Sequence, residues 1–113
     1  MKNELLMPFQ NMDAYTVAKE LAVQVHRAKI RDAELRDQAT RAAKSAFLQL
    51  SEGLPNTGTA MRRKYFVCSR NSVCEVAAAI DLALAIEAID PELGAEAQRT
   101  ASRLAALLIG LLR

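Results

Sequence analysis

The sequence has few aromatic residues, glycines and prolines. Aromatic side chains make up 4% of its 113 residues, tryptophan is absent, and there are four glycines and three prolines. So little glycine and proline excludes a collagen-like or low-complexity chain and leaves long segments without a helix breaker. With 51% hydrophobic residues, the chain is long enough for one domain with a single core, which must be built mainly from aliphatic side chains.

Recognisable catalytic and metal-binding signatures are also missing from the sequence. With one histidine, His26, and two cysteines, Cys68 and Cys74, there is no zinc-ligand spacing and no Glu-x-x-His pair of a di-iron bundle. Neither a glycine-rich phosphate loop nor a Gly-x-Ser-x-Gly motif occurs. We therefore expect no enzyme activity, no metal and no cofactor, and the sequence identifies no small-molecule substrate.

The sequence shows no membrane or secretory segment. The first nine residues contain too few apolar side chains for a secretory leader, and no uncharged apolar run approaches the roughly 20 residues of a membrane span. Two cysteines without an evident pairing are typical of a reducing compartment. These features predict a cytoplasmic protein without a membrane partner.

Helical periodicity and its interruptions predict an all-α protein. Asp13 can cap a first helix, Gly53 with Pro55 ends a second, and Asp90 with Pro91 separates a third from a fourth. Four amphipathic helices with short connections favour an antiparallel up-down-up-down four-helix bundle formed by residues 1–113 as one domain. The predicted helices cover residues 13–30, 33–52, 59–89 and 91–112.

The third predicted helix carries two apolar stripes, about 140° apart at 100° per residue. The first consists of Met61, Tyr65, Cys68, Ser72, Glu75, Ala79, Leu82 and Ile86, and the second of Phe66, Val73, Ala77, Ile80, Leu84 and Ala88. Either the helix has a wide core face, or one stripe forms a subunit interface, since a bundle helix ordinarily has one apolar face. We favour the interface. Its predicted residues are Phe66, Val73, Ala77, Ile80, Leu84, Leu108 and Leu112.

Polar residues interrupt the apolar stripes of the second and third helices. They are Gln38, Arg41, Ser45, Gln49, Ser72 and Glu75. A buried carboxylate needs a partner, for which Arg41 and Arg70 are the candidates. We interpret the set as a structural polar network that fixes helix register, and the alternative is a ligand or nucleic-acid site.

A basic cluster lies near the start of the third helix. Arg62, Arg63, Lys64 and Arg70 are candidate nucleic-acid contacts, although the formal net charge of +2 is too small to indicate such a partner by itself. Positive charge at a helix N-terminus opposes the helix dipole, which hints at a use beyond stability. The alternative is a solvated helix end.

Two helical segments resemble the four-helix bundle proteins known as 23S rRNA intervening-sequence proteins. The segments are Arg41-Ala-Ala-Lys-Ser-Ala-Phe-Leu-Gln-Leu-Ser-Glu-Gly53 and Tyr65-Phe-Val-Cys-Ser-Arg-Asn-Ser-Val-Cys-Glu75. In that family the second helix reads roughly Q-x-x-R-A-x-x-S-I-x-x-N-I-A-E-G, and the third has an aromatic residue followed by A-R-G-S-x-x-E. The chain departs from the pattern at Phe47, Gln49 and Asn71.

The resemblance implies a four-helix bundle that assembles as a ring-shaped homopentamer. The expected function is a non-catalytic, self-assembling scaffold or binding module of unknown cellular role. Relatives are encoded inside rRNA insertions, and related accessory variability proteins of retroelements bind RNA and a polymerase. The alternative function is therefore an accessory protein that binds RNA or DNA through the basic cluster.

Overall fold

The computed structural model describes residues 7–113, apart from the side chain of Asn11. A short 3-10 helix, Pro8–Asn11, precedes four α-helices, and no strand occurs in this part of the chain. The all-α prediction is confirmed. The α-helices are α1 (Asp13–Ala28), α2 (Ala33–Gly53), α3 (Thr59–Ala85) and α4 (Pro91–Leu112).

Aspartate caps begin two of the helices. A carboxylate oxygen of Asp32 accepts from the Leu35 backbone N–H at 2.9 Å, and one of Asp90 accepts from that of Leu93 at 3.0 Å. Each cap satisfies a backbone donor that lacks a partner within its helix. At α4, Pro91 occupies the first turn, where its missing N–H causes no loss.

Two helices end earlier than the sequence predicts. The third ends at Ala85 rather than at residue 89, because Glu87 adopts a left-handed conformation with φ 59°. The Ala88 N–H then donates to the Ala83 carbonyl at 2.8 Å, which closes the helix and directs Ile89 into the core. The first helix likewise ends at Ala28 rather than at residue 30, since Lys29 is left-handed with φ 47°.

Each α-helix packs against two neighbours. Helix α1 contacts α2 and α4, and α3 contacts the same two helices. Contacts between α2 and α3 run in opposite order along the two helices, as expected for antiparallel neighbours. The Ser69 hydroxyl donates to the carbonyl of Ala46. The hydroxyl of Ser72, which follows Ser69 in α3, donates to that of Ser45, which precedes Ala46 in α2. The arrangement is that of the predicted four-helix bundle.

Small residues let the helices approach closely. Helix α2 buries Ala39, Ala42, Ala43 and Ala46. At Gly94 of α4, an added Cβ would lie 2.7 Å from a methyl carbon of Leu84 on α3. At Gly53, the end of α2, an added Cβ would lie 2.8 Å from the ring of Phe66. Around these contacts lies an aliphatic core whose largest fully buried side chains include Leu21, Ile30, Leu50, Ile80, Ile89, Leu104 and Leu108.

Candidate functional site

The second stripe of α3 faces the core. Phe66, Val73 and Ile80 are at most 2% exposed, and Leu108 of α4 is fully buried. These four residues pack within one chain, so their predicted role in a subunit interface is wrong. The physical reason is that α2 and α4 lie on either side of this stripe and cover it.

The other three predicted interface residues are half-buried and belong largely to the packing of α3 against α4. Leu84 and Leu112 pack against the core, and Leu84 contacts Gly94. The carbonyl of Ala77 accepts from the side chain of Gln98 at 3.1 Å. This part of α3 is therefore held by its own bundle.

Apart from Met61, which is 46% exposed near the start of the helix, the exposed large apolar side chains of α3 and its C-cap lie on the C-terminal half of the first stripe. Leu82 and Ile86 are each 51% exposed, and Ala78 and Ala85 are exposed beside them. These four residues, which we call the α3 ridge, share one helix face because they are spaced by four, seven and eight positions. Three exposed acidic residues accompany the ridge in the sequence. Glu75 precedes it, Asp81 lies between Ala78 and Leu82, and Glu87 follows it.

A shallow groove of about 270 Å³ runs beside the ridge, between α2 and α3. Its lining residues are Leu35, Gln38, Glu75, Ala78, Ala79 and Leu82. The ridge and this groove together form a continuous, largely apolar surface with two polar residues, Gln38 and Glu75, among its lining.

The predicted polar network is smaller than the sequence indicates. Ser72 donates from its hydroxyl to that of Ser45 at 3.0 Å, whereas Gln38, Arg41 and Glu75 are exposed. Glu75 therefore needs no buried partner, and the expectation that Arg41 or Arg70 compensates a buried carboxylate is wrong. Gln49 is half-buried.

The sequence reasoning missed Ser69, the most buried polar residue of α3. Its hydroxyl is completely buried and donates to the carbonyl of Ala46 at 2.7 Å. Ser69 lies three residues before Ser72, on the same helix face, and that spacing is the signal that could have identified it.

Two of the four predicted nucleic-acid contacts stabilise helix ends. The guanidinium of Arg62 donates to the carbonyls of Leu54 at 2.6 Å and Gly53 at 3.3 Å, and lies 4.8 Å from the centroid of the Phe66 ring. Arg63 donates to the carbonyl of Leu112 at 2.9 Å. Antiparallel packing places the N-terminus of α3 beside the C-termini of α2 and α4, where cations are favoured.

Three of the four predicted contacts have accessible side chains. Lys64 is exposed, Arg63 is exposed while it donates to Leu112, and Arg70 is half-buried. A cleft of about 310 Å³ lies next to the capping arginines and is lined by Thr59, Arg62, Arg63, Phe66, Leu111, Leu112 and Arg113. The basic residues are thus divided between structural caps and surface positions.

A second basic surface lies between α1 and α2, and of its cations the sequence offers only Arg27, together with Lys29 and Arg31, as a further candidate for contacts with nucleic acid. This α1–α2 groove has a volume of about 380 Å³ and is lined by Lys19, Ala22, Val23, His26, Arg27, Thr40, Lys44 and Phe47. None of the described residues that line it is acidic. The Lys19 ammonium lies 5.2 Å from the Tyr15 ring centroid, which holds it near the groove. Its cations come from two helices, so they form no cluster in the sequence.

Within residues 7–113, no group of three or more His, Cys, Asp or Glu side chains could hold a metal ion. Cys68 and Cys74 are free thiols, half-buried and exposed respectively. None of the described helices is long and apolar enough to cross a membrane.

Comparisons with known proteins agree with this architecture. Residues 10–110 match the sequence profile of the 23S rRNA-intervening sequence protein family. The chain belongs to that family. A similar solved structure, a protein of unknown function from the S23 ribosomal protein family of Bacteroides thetaiotaomicron, superimposes with a TM-score of 0.79 over 88% of this chain and 98% of that one. At 15% identity the likeness shows the fold alone. No curated protein matches the chain significantly.

Proposed function

We propose that the protein is a non-catalytic helical scaffold that self-assembles through the α3 ridge. The observation that carries the proposal is the exposure of Leu82 and Ile86, each 51% accessible on one face of α3. Two large aliphatic side chains one turn apart, with exposed alanines beside them, form an apolar surface of the kind that marks an association site. The proposal retains the self-association predicted from the sequence, but it assigns the interface to the ridge instead of to the buried second stripe of α3.

The energetics require more than two side chains in the interface. Burying the exposed half of a Leu or Ile side chain contributes about 1 kcal/mol. Association loses roughly 4–15 kcal/mol of translational and rotational freedom. The ridge therefore serves as the centre of a larger contact that includes the neighbouring groove at Leu35 and Ala79, for which about 800 Å² per partner is a standard size.

The resemblance to ring-forming relatives supports a ring of five copies as the assembled form. A closed ring needs two different surfaces on each copy, because only a head-to-tail contact continues around an axis. Such a ring would present the same binding surface several times, which strengthens a weak interaction through multivalency.

The test is the mass of the protein in solution by size-exclusion chromatography with light scattering. Wild type should be an oligomer, and Leu82→Glu with Ile86→Glu should yield a smaller species with an unchanged circular-dichroism spectrum. The matched control is Met61→Glu, since Met61 is 46% exposed near the start of the same helix and lies on neither the ridge nor the α1–α2 groove. A monomeric wild type at micromolar concentration would reject the proposal.

The second candidate function is an accessory protein that binds RNA or DNA. It is supported by the α1–α2 groove with its three formal positive charges from Lys19, Arg27 and Lys44. Contacts with phosphates give an affinity that falls steeply with salt, so filter binding across an ionic-strength series tests this function. If the filter retains no RNA or DNA with the protein at low salt, the nucleic-acid-binding function is excluded.

A further inference from the structure

The structure contains two surfaces that complement each other in charge and that both carry accessible apolar side chains. We propose that the α3 ridge of one copy docks into the α1–α2 groove of a second copy, forming a head-to-tail interface. This inference rests on the proposed self-assembly and names the surface that the ridge contacts.

Both surfaces have accessible apolar side chains. On the ridge, half of each side chain of Leu82 and Ile86 is accessible. The α1–α2 groove is concave, with Ala22, Val23 and Phe47 as its apolar lining. Val23 is itself 40% exposed. A partner that covers this lining removes apolar surface from water on both copies.

The lengths of the two surfaces also correspond. The ridge runs from Ala78 to Ile86, nine residues of α3 and its C-cap, and the α1 side of the groove runs from Lys19 to Arg27, also nine residues, so each spans eight helical steps. At 1.5 Å per residue each extends about 12 Å. A ridge laid along the groove therefore contacts it over its full length.

Their charges are opposite. Residues 75–87 carry three acidic side chains, Glu75, Asp81 and Glu87, and no basic one, and Arg31, whose guanidinium donates to the Glu87 carbonyl, adds one positive charge at their end. All three are exposed. The groove presents Lys19, Arg27 and Lys44, with His26 beside them and no acid among the described residues that line it. Docking brings the acids of one copy toward the cations of the next.

Charge also discriminates between the three ways in which two copies could meet. A symmetric ridge-to-ridge contact would place the three acids of one copy opposite those of the other. A groove-to-groove contact would oppose two sets of cations. Only the ridge-to-groove contact pairs unlike charges, and like-charge juxtaposition disfavours the other two. The apolar residues supply the affinity, whereas the exposed charges set the orientation.

A head-to-tail contact leaves a free groove on one copy and a free ridge on the other. Further copies can therefore add until the assembly closes on itself. This property separates the proposal from a symmetric dimer, in which both copies use the same surface and growth stops at two.

The deciding experiment mixes two variants that each lack one surface. The ridge variant is Leu82→Glu with Ile86→Glu, and the groove variant is Arg27→Glu with Lys44→Glu. All four positions are exposed, so both variants should keep the wild-type helical signal in circular dichroism. Each should melt at a slightly lower temperature, because Arg27 lies in the last turn of α1 and Ile86 is the C-cap of α3, where an acid opposes the helix dipole. Each variant alone should be monomeric by light scattering. An equimolar mixture should form a 1:1 heterodimer and grow no further, because it contains one intact ridge and one intact groove.

The other outcomes overturn the inference in distinguishable ways. If the ridge variant dissociates but the groove variant keeps the wild-type mass, the ridge contacts another surface and only this inference fails. If neither variant dissociates, the proposed role of the ridge in self-assembly fails as well. If the groove variant keeps its mass but loses retention of a labelled oligouridylate that wild type binds, the groove belongs to nucleic acid and not to a second copy.

Discussion

The guanidinium of Arg31 donates to the carbonyl oxygen of Glu87 at 2.8 Å. The backbone N–H of Arg31 also donates to the carbonyl of Ala88 at 2.7 Å. These two bonds join the connection between α1 and α2 to the connection between α3 and α4. They hold the end of α3 in place directly after Ile86, the last residue of the ridge, so that the ridge is displayed on a fixed helix end.

Replacing Glu87 by glycine should stabilise the fold. Glu87 lies in the left-handed region with φ 59°, where a side chain costs about 1–2 kcal/mol that glycine avoids. Glycine also gives the unfolded chain more freedom, which offsets roughly 0.5–1 kcal/mol of that gain. We expect the free energy of unfolding in urea to rise by about 0.5–1 kcal/mol. The control is Glu87→Ala, which keeps the Cβ strain. An equal rise in both variants would assign the effect to lost charge.

Alanine at the two buried glycines should have different effects. At Gly53 the new Cβ meets the ring of Phe66 at 2.8 Å and the Cβ of Tyr65 at 3.0 Å. Phe66 is 1% exposed and cannot move aside, so we expect Gly53→Ala to destabilise the protein by about 1–3 kcal/mol through overpacking.

At Gly94 the three atoms nearest the new Cβ all belong to Leu84, whose half-buried side chain can turn toward solvent. Alanine also gains about 1 kcal/mol of helix propensity there. Gly94→Ala should therefore be clearly less destabilising than Gly53→Ala in the same thermal or urea unfolding experiment. The reverse order would show that the contact of α4 with α3 is the more rigid one.

Removing the side chain of Arg62 should lower stability. Its guanidinium satisfies the carbonyls of Gly53 and Leu54 at the end of α2 and lies over Phe66. Arg62→Ala loses both the charged hydrogen bonds to the helix end and the contact with the ring. We therefore expect its free energy of unfolding to fall by about 1.5–3 kcal/mol. Arg62→Lys should recover only part of it, because an ammonium cannot reproduce the planar fork. Lys64→Ala, at an exposed position nearby, serves as the control and should have little effect.

Local signals predicted most of the helix boundaries. The end of α2 and the start of α4 were found from the sequence, because they are set by the backbone preferences of the residues there. These residues are Gly53 with Pro55, and Asp90 with Pro91. The end of α3 was not found in this way, because Glu87 has no local preference for a left-handed conformation. The position of Glu87 depends on a hydrogen bond from Arg31, which is 56 residues away in the sequence.

Periodicity identified both stripes of α3 but not which one faces inward. Each stripe has helical spacing, and the choice is made by the positions of α2 and α4, which a single helix does not encode. Phe66 and Ile80 therefore proved to be core, whereas Leu82 and Ile86 are exposed. The α1–α2 groove was missed for a related reason: Lys19 and Lys44 become neighbours only when the two helices pack.

The last prediction concerns the basic residues of α3. Changing Lys64 and Arg70 together to glutamate should alter retention of a labelled oligouridylate at low salt by less than about twofold. The physical reason is that Lys64 and Arg70 lie outside the α1–α2 groove, where cations of two helices converge, and that their neighbour Arg62 is held by the carbonyls of Gly53 and Leu54. Glutamate at Arg62 itself would be uninformative, because it would remove a cap and unfold the end of α2. The comparison uses wild type, the double variant and Lys64→Ala in filter binding across a salt series. A tenfold or greater loss with a salt slope reduced by about two, one for each lost phosphate contact, would restore the nucleic-acid interpretation of this cluster.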